Sequence, residues 1–186
     1  MKTYIRFLVL HLCAAVVYVS SAFATTGDSR VMVEGKRTQL ERAAVNYEWA
    51  ARAQEKAAQK IIAEGETIRN APYDTKTQYY KNIRRVGDLT SRAGDLEAAV
   101  GNSYDQAASI WLKISKRMGK KDGNSSDMPP EQMAQIARQS AIIAYQRSAE
   151  LYELSAQAYY EANDPLRQAS LCQKAARMRE KIAQRL

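Results

Sequence analysis

The chain has 186 residues, 28 Lys plus Arg against 20 Asp plus Glu, one His, two Cys and 46% apolar residues. That is enough for one globular domain with a core of its own. With so few His and Cys, most metal and nucleophile chemistry is excluded before any motif is read.

Lys2 and Arg6 form a short basic start, an apolar run follows from Phe7 to Val19, and Ala22-Phe23-Ala24 supplies small residues at a cleavage position. This pattern predicts a secretory signal peptide over 1–24 and a secreted or periplasmic mature chain. The apolar run is shorter than the roughly 20 residues of a membrane-spanning helix. Cys13 follows Leu12 rather than a small residue, so it marks no lipoprotein site. Cleavage after Ala24 removes Lys2, Arg6, His11 and Cys13 but no acidic residue, which leaves a charge of +6 and Cys172 as the one cysteine. An internal disulfide is then impossible, and core packing alone must hold the fold. Ser-His-Asp and Cys-His sites, histidine-bearing zinc sites, Glu-x-x-His di-iron pairs and haem attachment through Cys-x-x-Cys-His are excluded together. The expectation is a non-enzyme with no cofactor and no metal site. An enzyme would have to use carboxylates, lysines or tyrosines, and no acidic pair stands out, Glu48 and Glu55 being ordinary helical glutamates.

Residues 25–186 read as a single all-α domain, a bundle of about four long antiparallel helices. The first helix is predicted over 29–69, with Asp28 or Ser29 as cap and Asn70-Ala71-Pro72 as stop. The second spans 75–118 after Asp74 as cap. The polar loop 119–127 follows, and Pro129-Pro130 open the third, predicted over 129–162. Asn163 is placed to close it in the left-handed conformation, and Asp164-Pro165 to cap and start the fourth, over 165–186.

Small residues recur every seven positions in the first two helices: Ala44, Ala51, Ala58 and Gly65, then Gly87, Gly94, Gly101, Ala108 and Ser115. An antiparallel turn at Pro72-Tyr73 would set Ala44 against Gly101, Ala51 against Gly94 and Ala58 against Gly87. Such a seam brings backbones close and offsets the roughly 1 kcal/mol that each mid-helix glycine costs.

Tyr145, Tyr152 and Tyr159 form a sevenfold stripe on the third helix. Packing against the second or fourth helix with hydroxyls at the core edge is the plain reading. The functional one is a groove for a peptide or glycan. Trp49 and Trp111 are expected in the core, and Cys172 is expected buried on the inner side of the fourth helix. That helix carries an apolar line of Leu171, Ala175, Met178, Ile182 and Leu186 beside a basic stripe of Arg167, Lys174, Lys181 and Arg185, with Arg177 at its edge. Lys113, Lys116, Arg117, Lys120 and Lys121 add charge at the end of the second helix. The alternatives here are a solvated face or a contact for anionic lipid, envelope polymer or acidic protein. Nucleic acid is not the expected partner, since no aromatic-basic recognition motif is present. Asn124-Ser125-Ser126 fits the N-glycosylation pattern.

Ala158-Tyr159-Tyr160-Glu161-Ala162-Asn163-Asp164-Pro165, followed by Cys172-Gln173-Lys174-Ala175-Ala176, resembles the helix-turn-helix of a tetratricopeptide repeat, over residues 142–183. Asn163 stands where that family usually has glycine, and Gln168 where it usually has alanine. The resemblance implies a helical-hairpin packing style and protein binding, and carries over no catalytic residue. Ala93-Gly94-Asp95-Leu96 resembles the same turn, which would break the second helix. The glycine seam instead requires that helix to be continuous, and the bundle is the preferred expectation. In function, the chain is expected to act by protein-protein binding or scaffolding through the tyrosine and basic stripes. Association with an anionic membrane or envelope surface is the alternative, and a carboxylate- or lysine-based enzyme the third reading.

Overall fold

The computed structural model describes residues 39–118 and 128–186. The predicted signal peptide 1–24, the first ten residues of the first predicted helix with its caps Asp28 and Ser29, and the polar loop 119–127 with Asn124, Lys120 and Lys121 lie outside the described residues. Among those described, the chain is an all-α helical bundle. Its helices are α1 (Gln39–Asn70), α2 (Lys76–Met118), α3 (Pro130–Glu161) and α4 (Pro165–Ala183). None of them is long and apolar enough to cross a membrane.

Helix α2 runs unbroken through Gly94-Asp95. Its cap is Thr75 rather than Asp74: the Thr75 hydroxyl accepts from the Gln78 amide at 3.1 Å, because the helix begins one residue later than predicted. The α3–α4 turn follows the sequence signals closely. Asn163 has φ 57°, the Asp164 amide donates to Tyr159 O (2.9 Å) and the Asn163 amide to Tyr160 O (3.0 Å), which makes a complete Schellman closure. Asp164 then caps α4 by accepting from the Arg167 amide at 3.2 Å. This geometry sends α4 back along α3, against which it packs with Leu171, Ala175 and Met178.

The small residues of α1 are buried as predicted, but their partners on α2 are different. Ala44 shares a cluster with Ala107, Ala51 with Val100, and Ala58 with Ala93. Each partner lies six residues beyond the glycine-seam pairing. The physical reason is that the glycine face of α2 is occupied by α3. The α1 seam therefore meets the residue just before each small position, about 100° around the helix. Ala144 and Leu151 of α3 close the same clusters from the third side.

Two other expectations are corrected by the narrowness of these seams. Trp49 is 63% exposed, because it sits two residues, about 200°, from the buried Ala51 on a helix that buries little more than one line of side chains. Cys172 is exposed, because α4 docks along the line through Leu171 and the next residue turns away from it. Trp111 is buried as expected, and its indole N–H donates to Glu48 at 3.0 Å.

Candidate functional site

The glycines of α2, the tyrosines of α3 and the cations of α4 are parts of one feature. A Cβ placed on Gly101 would lie 2.6 Å from Tyr145 Cε1. On Gly94 it would lie 2.9 Å from Tyr152 Cε1, and on Gly87 3.0 Å from Tyr159 Cε2. Each ring thus lies flat in a notch that only a missing side chain can provide. The residue after Gly87 and after Gly94 supplies the acceptor for the hydroxyl, and in the third layer Asn102 and Asp105 share that role. Tyr159 donates to Asp88, Tyr152 to Asp95 Oδ1 at 2.6 Å, and Tyr145 to Asp105 Oδ2 at 2.7 Å, with Asn102 Oδ1 2.8 Å away. On the outer side, α4 lays a cation over every ring: Arg167 at 5.2 Å from the Tyr159 centroid, Lys174 at 5.1 Å from Tyr152, and Lys181 and Arg185 at 4.8 Å from Tyr145.

The same cations reach the same acceptors. Arg167 Nη1 donates to Asp88 at 3.3 Å and to the Tyr159 hydroxyl at 2.8 Å. Lys174 Nζ donates to Asp95 and Lys181 Nζ to Asn102, both at 2.9 Å. The α2 and α4 partners are separated by 79 residues in all three layers, so the two helices run parallel in strict register. From α3, Ser155 donates to Gly87 O at 2.7 Å and Ser148 to Gly94 O at 2.8 Å, tying the backbones together beneath two of the rings. The third layer departs from the pattern in a compensated way. Asn102 replaces the aspartate, Asp105 restores a carboxylate one turn later, and Arg185, one turn beyond Lys181, donates through Nε to Asp105 Oδ1 at 2.9 Å. Ala141 stands where the third serine would be. The ladder stops where both partners change: Ala108 holds the next glycine position and Arg138 the next tyrosine position.

The seven predicted binding residues, Tyr145, Tyr152, Tyr159, Arg167, Lys174, Lys181 and Arg185, are therefore brought together, but against one another. The rings are 0–3% exposed. Burial, followed by the hydrogen bond to a carboxylate, pushes the Tyr145, Tyr152 and Tyr159 hydroxyls above the ordinary phenol range. At neutral pH they stay protonated and act as donors. The guanidinium of Arg185 is held above its usual value by its hydrogen bond to Asp105, and Lys181 is lowered by burial and by its neighbour Arg185.

A second polar cluster lies between α1, α2 and α3. Glu55 pairs with Arg147, and Glu97, only 3% exposed, sits beside that pair with Oε2 lacking a hydrogen-bond partner. Burial, with Glu55 adding to it and Arg147 opposing it, raises the Glu97 carboxyl to about 7. A folded-state value above the unfolded one means that the protonated form contributes stability below about pH 4.5. That contribution is lost as pH rises through 7. Glu97→Gln is expected to remove most of the fall in stability between pH 5 and 8, roughly 2 to 3 kcal/mol in the wild type, with Glu150, whose carboxyl is also raised by burial, keeping a smaller slope. Parallel melting curves of the two proteins across that range check this.

At the end of the bundle where α2 starts and α3 turns into α4, a cleft of about 680 Å³ is lined by Thr77, Tyr80, Lys81, Arg84, Arg85, Asp88, Ala162 and Asn163. Arg85 pairs with Glu64 at 3.0 Å, and Arg84 reaches Ala162 O at 3.5 Å. Lys81 forms no ion pair among the described residues. Tyr80 is 44% exposed and packs edge-on to Tyr79, which in turn contacts the exposed Tyr73. Tyr160 and Leu166, both largely exposed, flank the α3–α4 turn. Sequence reading missed this cleft because its cations come from the first turns of a helix in which basic residues look like ordinary solvated positions. It also missed the acceptors Asp88, Asp95, Asn102 and Asp105 and the serines Ser148 and Ser155. The Gly-Asp, Gly-Asp, Gly-Asn series seven residues apart was the available signal. Among the described residues, no group of His, Cys, Asp and Glu is arranged to hold a metal ion. No protein-family profile, curated protein or solved structure matches this chain.

Proposed function

We propose that this chain is an exported, non-enzymatic helical protein that works by binding another protein, and that it does so at the end of the bundle formed by the start of α2 and the α3–α4 turn. The observation that carries this reading is the contrast between two groups of cations. Arg167, Lys174, Lys181 and Arg185 of α4 are engaged by Asp88, Asp95, Asn102 and Asp105 of the ladder, whereas the cleft at the α2 start sets Lys81 and Arg84 beside the exposed ring of Tyr80. Exposed aromatic and apolar side chains mixed with Arg around a concavity have the makeup of a protein-binding surface. The ladder supports the same reading, because a face that presents a partner site gains from being held rigid. Tyrosine hydroxyls fixed as donors have no role as acid-base catalysts at neutral pH.

The test is site-specific photocrosslinking in the native compartment. A photoreactive residue at Tyr80 is expected to give a discrete protein adduct that the same residue at Ala169, on the exposed side of α4, does not give. Equal labelling at both positions, or none at Tyr80, would contradict the reading.

A further inference from the structure

Resting on that reading, we infer that the cleft between the first turns of α2 and the α3–α4 turn takes an extended acidic peptide segment of a partner protein, with its carboxylates set against Lys81 and Arg84. Three basic residues and one acidic residue line the cleft. The acidic one, Asp88, is partly offset from the far side: it accepts the Tyr159 hydroxyl and Arg167. The ladder's first layer therefore offsets part of the one local charge that repels an anionic occupant, and the cleft is net positive. Arg85 is partly offset by Glu64, while Lys81 has no ion-pair partner among the described residues. Arg84 Nη2 reaches the carbonyl of Ala162, the cap residue of α3, at 3.5 Å, which places its guanidinium at the α3–α4 turn.

The shape argues for a chain rather than a flat surface. The cleft is a wide-open groove of about 680 Å³ with the α3–α4 turn along one side, which gives an extended segment a wall to lie against. Tyr80 gives a half-exposed ring on the same wall as Lys81, suited to an apolar or aromatic side chain neighbouring the acidic ones. The exposed amide side chain of Asn163 adds a hydrogen-bonding group at the turn. Such a segment would make few contacts in total, so its affinity should be modest and strongly dependent on salt.

The experiment measures fluorescence anisotropy of a labelled twelve-residue peptide rich in Glu with one central Phe, against the folded chain. A peptide with Gln replacing every Glu serves as control. Saturable binding of the Glu peptide is expected, weakened at least about tenfold by Lys81→Glu combined with Arg84→Gln and left unchanged by Lys113→Glu with Lys116→Gln. Asp88→Asn is expected to tighten it by about twofold to threefold. Asn102 accepts the Tyr145 hydroxyl and Lys181 through its amide oxygen, so an amide at position 88 keeps an acceptor for Tyr159. Equal binding of the Gln peptide, or insensitivity to the Lys81 and Arg84 changes, would overturn the inference. So would partition onto phosphatidylglycerol vesicles that depends on those two residues while neither peptide binds. A protein adduct at Tyr80 without acidic-peptide binding would sink this inference and leave the protein-binding reading standing. Absence of both would sink the two together.

Discussion

Gly101→Ala is expected to destabilise the protein by about 2 kcal/mol, although alanine is the better helix former by about 1 kcal/mol. The new methyl would stand 2.6–2.8 Å from three atoms of the Tyr145 ring, and that ring has nowhere to go. It is fully buried, with Lys181 and Arg185 over it and its hydroxyl held by Asp105. The series should be graded. Gly94→Ala meets Tyr152 at 2.9–3.4 Å and should cost less. Gly87→Ala meets Tyr159 at 3.0–3.3 Å, near the more exposed Arg167, and should come out close to neutral as the propensity gain offsets the crowding. Thermal melts of the three variants check both sign and order, with Gly101→Ala expected lower by about 4–8 °C.

Tyr145→Ala is expected to cost about 3–5 kcal/mol, the largest effect of any single substitution in the ladder. It removes a large side chain that is fully buried, opens a cavity between α2, α3 and α4, and takes away the ring beneath two cations. Tyr145→Phe separates the contributions. It keeps the ring and both cation contacts and loses only the hydroxyl, and Asp105 still accepts from Arg185, so no carboxylate is orphaned. About 1 kcal/mol is expected for that change in chemical denaturation. A loss in Tyr145→Phe as large as in Tyr145→Ala would show that the hydrogen bonds rather than ring packing carry the layer.

Much of this was written in the sequence, but in separate pieces. The all-α class, the turn at Asn163-Asp164-Pro165 and the tyrosine stripe depend on local chemistry: left-handed tolerance, capping and helical period. Each of these is found in place. The glycine series was legible as a seam, yet the choice of partner was not. Ala44, Ala51 and Ala58 and the three tyrosines all recur every seven residues, so either set fits the glycines by spacing alone. Volume decides between them: a methyl against a notch leaves space unfilled, whereas a flat ring fills it. Trp49 and Cys172 were misplaced for a related reason. Apolarity predicts burial on average, but in a bundle of narrow seams most of each helix surface has no neighbour to bury it.

The basic stripe on α4 shows a different limit. Composition records charge without recording what meets it. Arg167, Lys174, Lys181 and Arg185 look like an outward-facing patch until α2 is laid beside them in parallel, at which point each finds an acceptor. The cleft lined by Lys81 and Arg84 was illegible because it requires the α3–α4 turn, some eighty residues away, to form its wall. Glu97 was unremarkable in sequence for the same reason, since only the approach of α1 and α3 buries it beside Glu55 and Arg147.

Glycine on α2 makes room for the ring on α3, and a double-mutant cycle between Gly101→Ala and Tyr145→Ala measures that dependence. With the ring present, Gly101→Ala should destabilise. In the Tyr145→Ala background the clash is gone, and the same substitution should stabilise by about 1 kcal/mol through helix propensity, giving a coupling of about 3 kcal/mol. Additive effects, with Gly101→Ala carrying the same sign and size in both backgrounds, would contradict the account.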